Sequence, residues 1–103
     1  MGSASGYSRT IIRQGDANVA GGVITDPKQG SVYANGRLVA CAGSQGSSDA
    51  ECEDGNIHCA FHWIATPAGS RTVFAEGKPV LAEGDVDTCG HPRATGSPDV
   101  YAG

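Results

Sequence analysis

The chain has 103 residues, a net charge of −4 and 6% aromatic residues, which is enough for one domain with a modest core that needs a staple beyond apolar burial. It lacks a basic stripe, which argues against nucleic-acid binding by phosphate neutralisation. It also lacks any apolar run near the roughly 20 residues of a membrane-spanning helix. The sixteen glycines follow no three-residue period, so collagen is excluded and a chain of tight turns is expected.

Met1-Gly2-Ser3-Ala4-Ser5 reads as an expression scar. Residues 1–6 are set aside as that or as a disordered start, and 7–103 are taken as a single domain. No signal peptide is visible, so synthesis in the cytoplasm is expected. Ile12-Arg13-Gln14-Gly15-Asp16 opens the patterned region, followed by Gly21-Gly22. Val32-Tyr33-Ala34 then leads through Asn35-Gly36 into Arg37-Leu38-Val39-Ala40 and Gly43. Asn-Gly between apolar runs is a strong hairpin signal, because both turn residues need positive φ. Further on, the same order returns at a constant offset as Val73-Phe74-Ala75, Glu76-Gly77, Lys78-Pro79-Val80-Leu81 and Gly84-Asp85. Gly96-Ser97-Pro98-Asp99-Val100-Tyr101-Ala102 parallels Gly69-Ser70-Arg71-Thr72-Val73-Phe74-Ala75, and its missing second half is Ile12 to Asp16, the counterpart of Leu81 to Asp85.

Three hairpin repeats follow, one of them cut open at the chain ends. One hairpin cannot bury its own face, so the three are expected to pack together with the first and last strands side by side. The result is an all-β body with a pseudo-threefold arrangement and almost no helix. A monomer of that symmetry with free strand edges suits the end of a threefold trimer, whose sheets it can continue. Val32, Tyr33, Val73, Phe74, Val100 and Tyr101 stand at equivalent repeat positions, and their alternation predicts one member of each pair inward.

Residues 44–63 form the one long connection and carry Cys52, His58, Cys59 and His62; Cys89-Gly90-His91 follows the last Gly-Asp. Each histidine lies within three residues of a cysteine. Without a signal peptide, reduced thiols and a metal site are favoured over a disulfide framework. A Cys52–Cys59 disulfide is the competing arrangement, and Cys41, on the inner half of a hairpin, is assigned to packing. No catalytic residue is assigned, because no orienting group or oxyanion device accompanies a Cys/His pair. The His-x-Glu and Pro-Cys-x-x-Cys motifs of zinc deaminases are also missing.

The spaced pattern Gly-Ser-x-x-Val-aromatic-x-x-Gly-x-Pro-Val-x-x-x-Gly-Asp, from Gly69 to Asp85, resembles the PAAR repeat. The resemblance covers nearly the whole chain after residue 8. It implies a small pointed cone with a metal near the tip. The base of such a cone binds the blunt end of a trimeric β-helical spike, one monomer per trimer, in a phage tail or a type VI secretion apparatus. It further implies a tip that meets the target cell's outer membrane transiently, in keeping with the readings above that the chain is no enzyme and binds no nucleic acid. In a secretion system it would also load effector proteins. The repeat-only length predicts a chain without a toxin extension.

The family's structural zinc, held by three histidines and one cysteine, implies His58, His62, Cys89 and His91 as ligands, with Cys52 and Cys59 in reserve. The six Val and aromatic positions named above would face the spike. The chain departs from the family at several points, among them the missing arginine of both repeats, since Val80-Leu81-Ala82 also differs from the family's pattern. Cys41 follows Leu38-Val39-Ala40 where an arginine is expected, Gly43-Ser44 replaces one Gly-Asp, and Ala20-Gly21-Gly22 offers no ligand where Cys89-Gly90-His91 does. The competing readings are an adaptor that loads a separate toxin and a small zinc-binding interaction module.

Overall fold

The structure is a computed structural model that describes residues 9–67, 73–94 and 96–102. The boundary between a leading scar and the domain, and the Gly69–Thr72 opening of the second repeat, lie outside the described residues. At Asn35-Gly36 the backbone takes φ values of 56° and 78°, and at Glu76-Gly77 it takes 51° and 79°. These left-handed pairs belong to the turns whose twist matches that of the flanking strands. They close β3 (Tyr33–Ala34) on β4 (Arg37–Leu38) and β6 (Phe74–Ala75) on β7 (Lys78–Pro79), with Tyr33 opposite Leu38 and Phe74 opposite Pro79. The third hairpin has no turn. Here β1 (Arg9–Thr10) pairs with β8 (Tyr101–Ala102), from opposite ends of the chain, as the split repeat predicts. Another short pair, β2 (Ile24–Asp26) with β5 (Gln45–Gly46), carries a shift in register. The described residues contain no helix.

The threefold character lies in the segments that follow each hairpin turn. Ile11 bridges to Ala82, Arg13 to Val39 and Cys41 to Val80, so each of three segments pairs with both others. Their amides close a ring: Ile12 N–H donates to the Leu81 carbonyl at 3.0 Å, Leu81 to Ala40 at 2.9 Å and Ala40 to Ile12 at 2.9 Å. Each hairpin repeats one further bond, from Ile11 to Val100, Val39 to Val32 and Val80 to Val73. Because side chains alternate along a strand, the three segments feed two separate cores. Ile11, Val39, Cys41, Val80 and Ala82 join Ala34 and Ala75 on the hairpin side. Ile12, Ala40 and Leu81 join Ile24, Trp63 and Ala65 on the other.

Beyond the ring the chain turns three times at equivalent glycines, Gly15, Gly43 and Gly84, with φ of 92°, 93° and 91°. The Asp16 carboxylate accepts the Arg13 N–H and that of Asp85 accepts the Ala82 N–H, both at 2.8 Å. In the middle repeat, Ser44 donates its hydroxyl to the Cys41 carbonyl instead.

One expectation is corrected. Val32 and Tyr33 are both exposed, at 38% and 60%, and so are Val73 and Phe74, at 37% and 55%. The inward residues are the alanines that follow them, Ala34 and Ala75. Both alanines belong to the hairpin-side core. Of the three valines, Val100 packs against the hairpin-side core.

Candidate metal centre

Past the Gly-Asp turns the three repeats diverge, and the long connection folds on the side of the ring away from the hairpin core. Asp49 starts a local turn there. Its carboxylate accepts the Glu51 N–H at 2.7 Å, its carbonyl accepts the Cys52 N–H at 3.1 Å, and its own N–H reaches the His58 carbonyl at 2.9 Å. Asp49 and His58 are thereby fixed side by side although eight residues separate them. Cys89 and His91 come from a tighter turn. Gly90, at φ 97°, donates to the Asp87 carbonyl at 2.8 Å, and Asp87 N–H donates to the His91 carbonyl at 2.9 Å.

That second turn is anchored from below. Arg93, with no exposed side-chain surface, pairs with Asp87 at 2.7 Å and stacks 5.1 Å from the Trp63 ring centroid. It also donates to the carbonyls of Asp16 and Gly22, while Asn18 donates to Asp87 at 2.9 Å. The Cys89–His91 turn is therefore bolted to the first repeat through buried polar contacts. Burial pushes the Asp87 carboxyl up and draws the Arg93 guanidinium down, against the attraction between them.

Asp49, His58, Cys89 and His91 present donor atoms that all lie within 4.8 Å of one another. Asp49 Oδ2 is the common neighbour, 3.0 Å from His58 Nδ1, 3.6 Å from Cys89 Sγ and 3.8 Å from His91 Nε2. Zinc bonds of roughly 2.0–2.3 Å in a tetrahedron hold their ligand atoms roughly 3.3–3.8 Å apart, so only a small contraction separates the cluster from that arrangement. His91 Nε2 is buried and makes no hydrogen bond, although Glu51 Oε2 lies 3.0 Å away at an unfavourable angle. A ring nitrogen in that state, beside a thiol and a carboxylate, is suited to a cation. The two nitrogens, one sulfur and one oxygen are donors that zinc accepts.

A family model for the PAAR motif matches residues 14–95. The chain belongs to the PAAR-motif family. A comparison with curated proteins gives no match. PAAR-motif proteins are associated with the spike tips of type VI secretion and phage-like machines. No helix among the described residues is long and apolar enough to cross a membrane.

Of the ligands implied by the PAAR resemblance, the structure gathers His58, Cys89 and His91 but not His62. A spacing of four brings two side chains close together on a helix. Residues 57–62 are a succession of turns, with Phe61 at φ 62°, and His62 is exposed outside the cluster. Cys52 and Cys59 are also unsuitable as reserves, because they are joined to each other in a disulfide. The fourth donor is Asp49. Burial raises its carboxyl, but the Glu51 N–H, His58 and Cys89 outweigh that and hold it below the ordinary value. Burial pushes the Cys89 thiol up, and the Asp87 and Asp49 carboxylates push the same way. A cation would reverse that shift by stabilising the thiolate. Cys41 is fully buried in the hairpin-side core and free.

Proposed function

We propose that this PAAR-motif protein is a passive cap on a trimeric β-helical spike, one monomer per trimer, with the hairpin end as the base and the long connection as the point. The observation that carries this reading is the closed three-segment ring. It hands the same exposed aromatic, Tyr33, Phe74 or Tyr101, to each of three equivalent hairpins. Val32, Val73 and Val100 flank them. A trimer offers three identical edges, and three equivalent hairpins can meet one each by strand addition and apolar contact. At the other end, zinc would be held by Asp49, His58, Cys89 and His91. When bound it supplies structural cross-linking, joining the long connection to the Cys89–His91 turn where little apolar surface does so.

The test mixes the full chain with a recombinant trimeric β-helical spike and weighs the complex by native mass spectrometry. One chain per trimer is expected, and loss of that complex in a folded Tyr33→Ala/Phe74→Ala/Tyr101→Ala variant supports the assigned face. Binding by the triple variant at full strength would move the contact elsewhere. A second role, loading effector proteins at a secretion spike and touching the target outer membrane as it passes, is compatible with the same architecture. It would use the side of the body away from the hairpins.

A further inference from the structure

The two halves of the metal centre are built differently. Cys89 and His91 sit on a turn whose anchors, Asp87 and Arg93, are buried. Asp49 and His58 bracket a loop in which every residue from Ala50 to Ile57 is exposed. That loop contributes nothing to either apolar core, and Cys59, buried just beyond it, belongs to neither, so packing does not hold it. Apart from one backbone bond, from the Ala50 N–H to the Ala20 carbonyl at 2.9 Å, what holds it is local. Asn56 accepts the N–H groups of Glu53 and His58 and donates to the Glu51 carbonyl. The disulfide between Cys52 and Cys59 then closes the loop around the residue next to His58. Asp54 and Gly55 turn the chain at φ 51° and 70°.

We propose that the Cys52–Cys59 disulfide is the positioning element of the metal centre, so that the affinity of the centre for zinc depends on the oxidation state of this pair. The inference rests on the metal reading given above. Closed, the cross-link reinforces the backbone bond that sets His58 beside Asp49, and binding then costs little ordering of the loop. Open, the loop keeps its backbone bonds at Asp49 and Ala50, but beyond them it has only hydrogen bonds that compete with water, and more of the ordering of this half of the ligand set falls to the ion. Closure removes one proton and one electron from each thiol and joins Sγ to Sγ. An acceptor disulfide, such as an oxidised small-molecule thiol, takes the two electrons and two protons and opens to two thiols. The centre would therefore be loosely assembled in a reducing compartment and pre-set in an oxidising one.

The experiment uses the full chain in its oxidised form and the Cys52→Ser/Cys59→Ser variant, which retains Cys89. Zinc affinity is read by competition with a chromophoric chelator. Cobalt(II) serves as a second probe whose thiolate charge-transfer band reports Cys89, and Trp63 emission reports the integrity of the body. The expected result is a variant that keeps the single-thiolate cobalt band and the Trp63 signal but binds zinc roughly tenfold to a hundredfold more weakly. Should the double variant fail to fold, the wild-type chain poised in buffers of different thiol-to-disulfide ratio gives the same comparison, with the expected loss on the reducing side. Equal affinity in the two states overturns the inference and leaves the metal reading standing. Tighter binding on reduction, with a stronger band from a second thiolate, also overturns it, because Cys52 or Cys59 would then be a ligand. If the oxidised wild-type chain binds neither ion, the metal reading fails and this inference falls with it.

Discussion

At the scale of single residues, Gly46 makes the closest backbone approach in the second strand pair. A Cβ built there would lie 1.7 Å from the Val23 carbonyl oxygen, so Gly46→Ala must part β2 from β5. The expected cost is about 1–3 kcal/mol or more, read as a lowered urea midpoint with unchanged slope. For the metal centre, Asp49→Asn and Cys89→Ser should each weaken zinc binding by about 10–100-fold or more, whereas His62→Asn should leave it unchanged. Chelator competition on the three variants separates Asp49 from His62 as fourth ligand. Acid should release the ion, because protons compete for the Cys89 thiolate, both imidazoles and Asp49. In the metal-free chain the depressed Asp49 carboxyl has its own signature. It adds stability that is complete above the ordinary carboxylate range and is lost as pH falls through its folded value.

Sequence could not single out Asp49, since Glu51, Glu53 and Asp54 follow it closely and any carboxylate is an eligible ligand. Only the backbone bond from Asp49 to the His58 carbonyl selects it. His62 lies outside the gathered donors, because residues 57–62 are turns and do not bring its ring to that of His58.

At the scale of elements, the hairpins were legible because Asn35-Gly36 and Glu76-Gly77 carry a backbone requirement that few other sequences meet. Which residues face inward was not legible, since strands of two residues are too short for alternation to decide. Packing on the hairpin-side core decides it instead, and there Ala34 and Ala75 are buried while Tyr33 and Phe74 are exposed. The buried Arg93–Asp87 pair was equally hidden. Its members look like ordinary loop charges in sequence, and only the fold buries both and lays Arg93 against Trp63. Removing one partner leaves the other charged and dry, so Asp87→Ala should cost about 3–5 kcal/mol. That loss would appear in thermal unfolding followed by Trp63 emission. An Arg93→Lys variant should lose much of the same stability, because an ammonium cannot reach Asp87 and the carbonyls of Asp16 and Gly22 at once.

At the scale of the whole molecule, the two ends of the body are expected to fail independently. Replacing Tyr33, Phe74 or Tyr101 with alanine should weaken docking to a spike trimer by about tenfold each. Cys89→Ser should leave docking intact and lower the melting temperature only in the presence of metal. Zinc at about 100 times its Kd adds about 2.7 kcal/mol to the native state, a rise of roughly 10–20 °C for a domain of this size. Differential scanning calorimetry with and without chelator gives the comparison.

The pairing of Arg9–Thr10 with Tyr101–Ala102 also sets a schedule. During synthesis at roughly 5–20 residues per second, the first strand must wait on the order of ten seconds for its only hairpin partner. Until then the ring of Ile12, Ala40 and Leu81 can be occupied but not locked, because one of its three segments still lacks the strand beside it. The body therefore cannot mature piecemeal from its leading end, and its last few residues act as the latch.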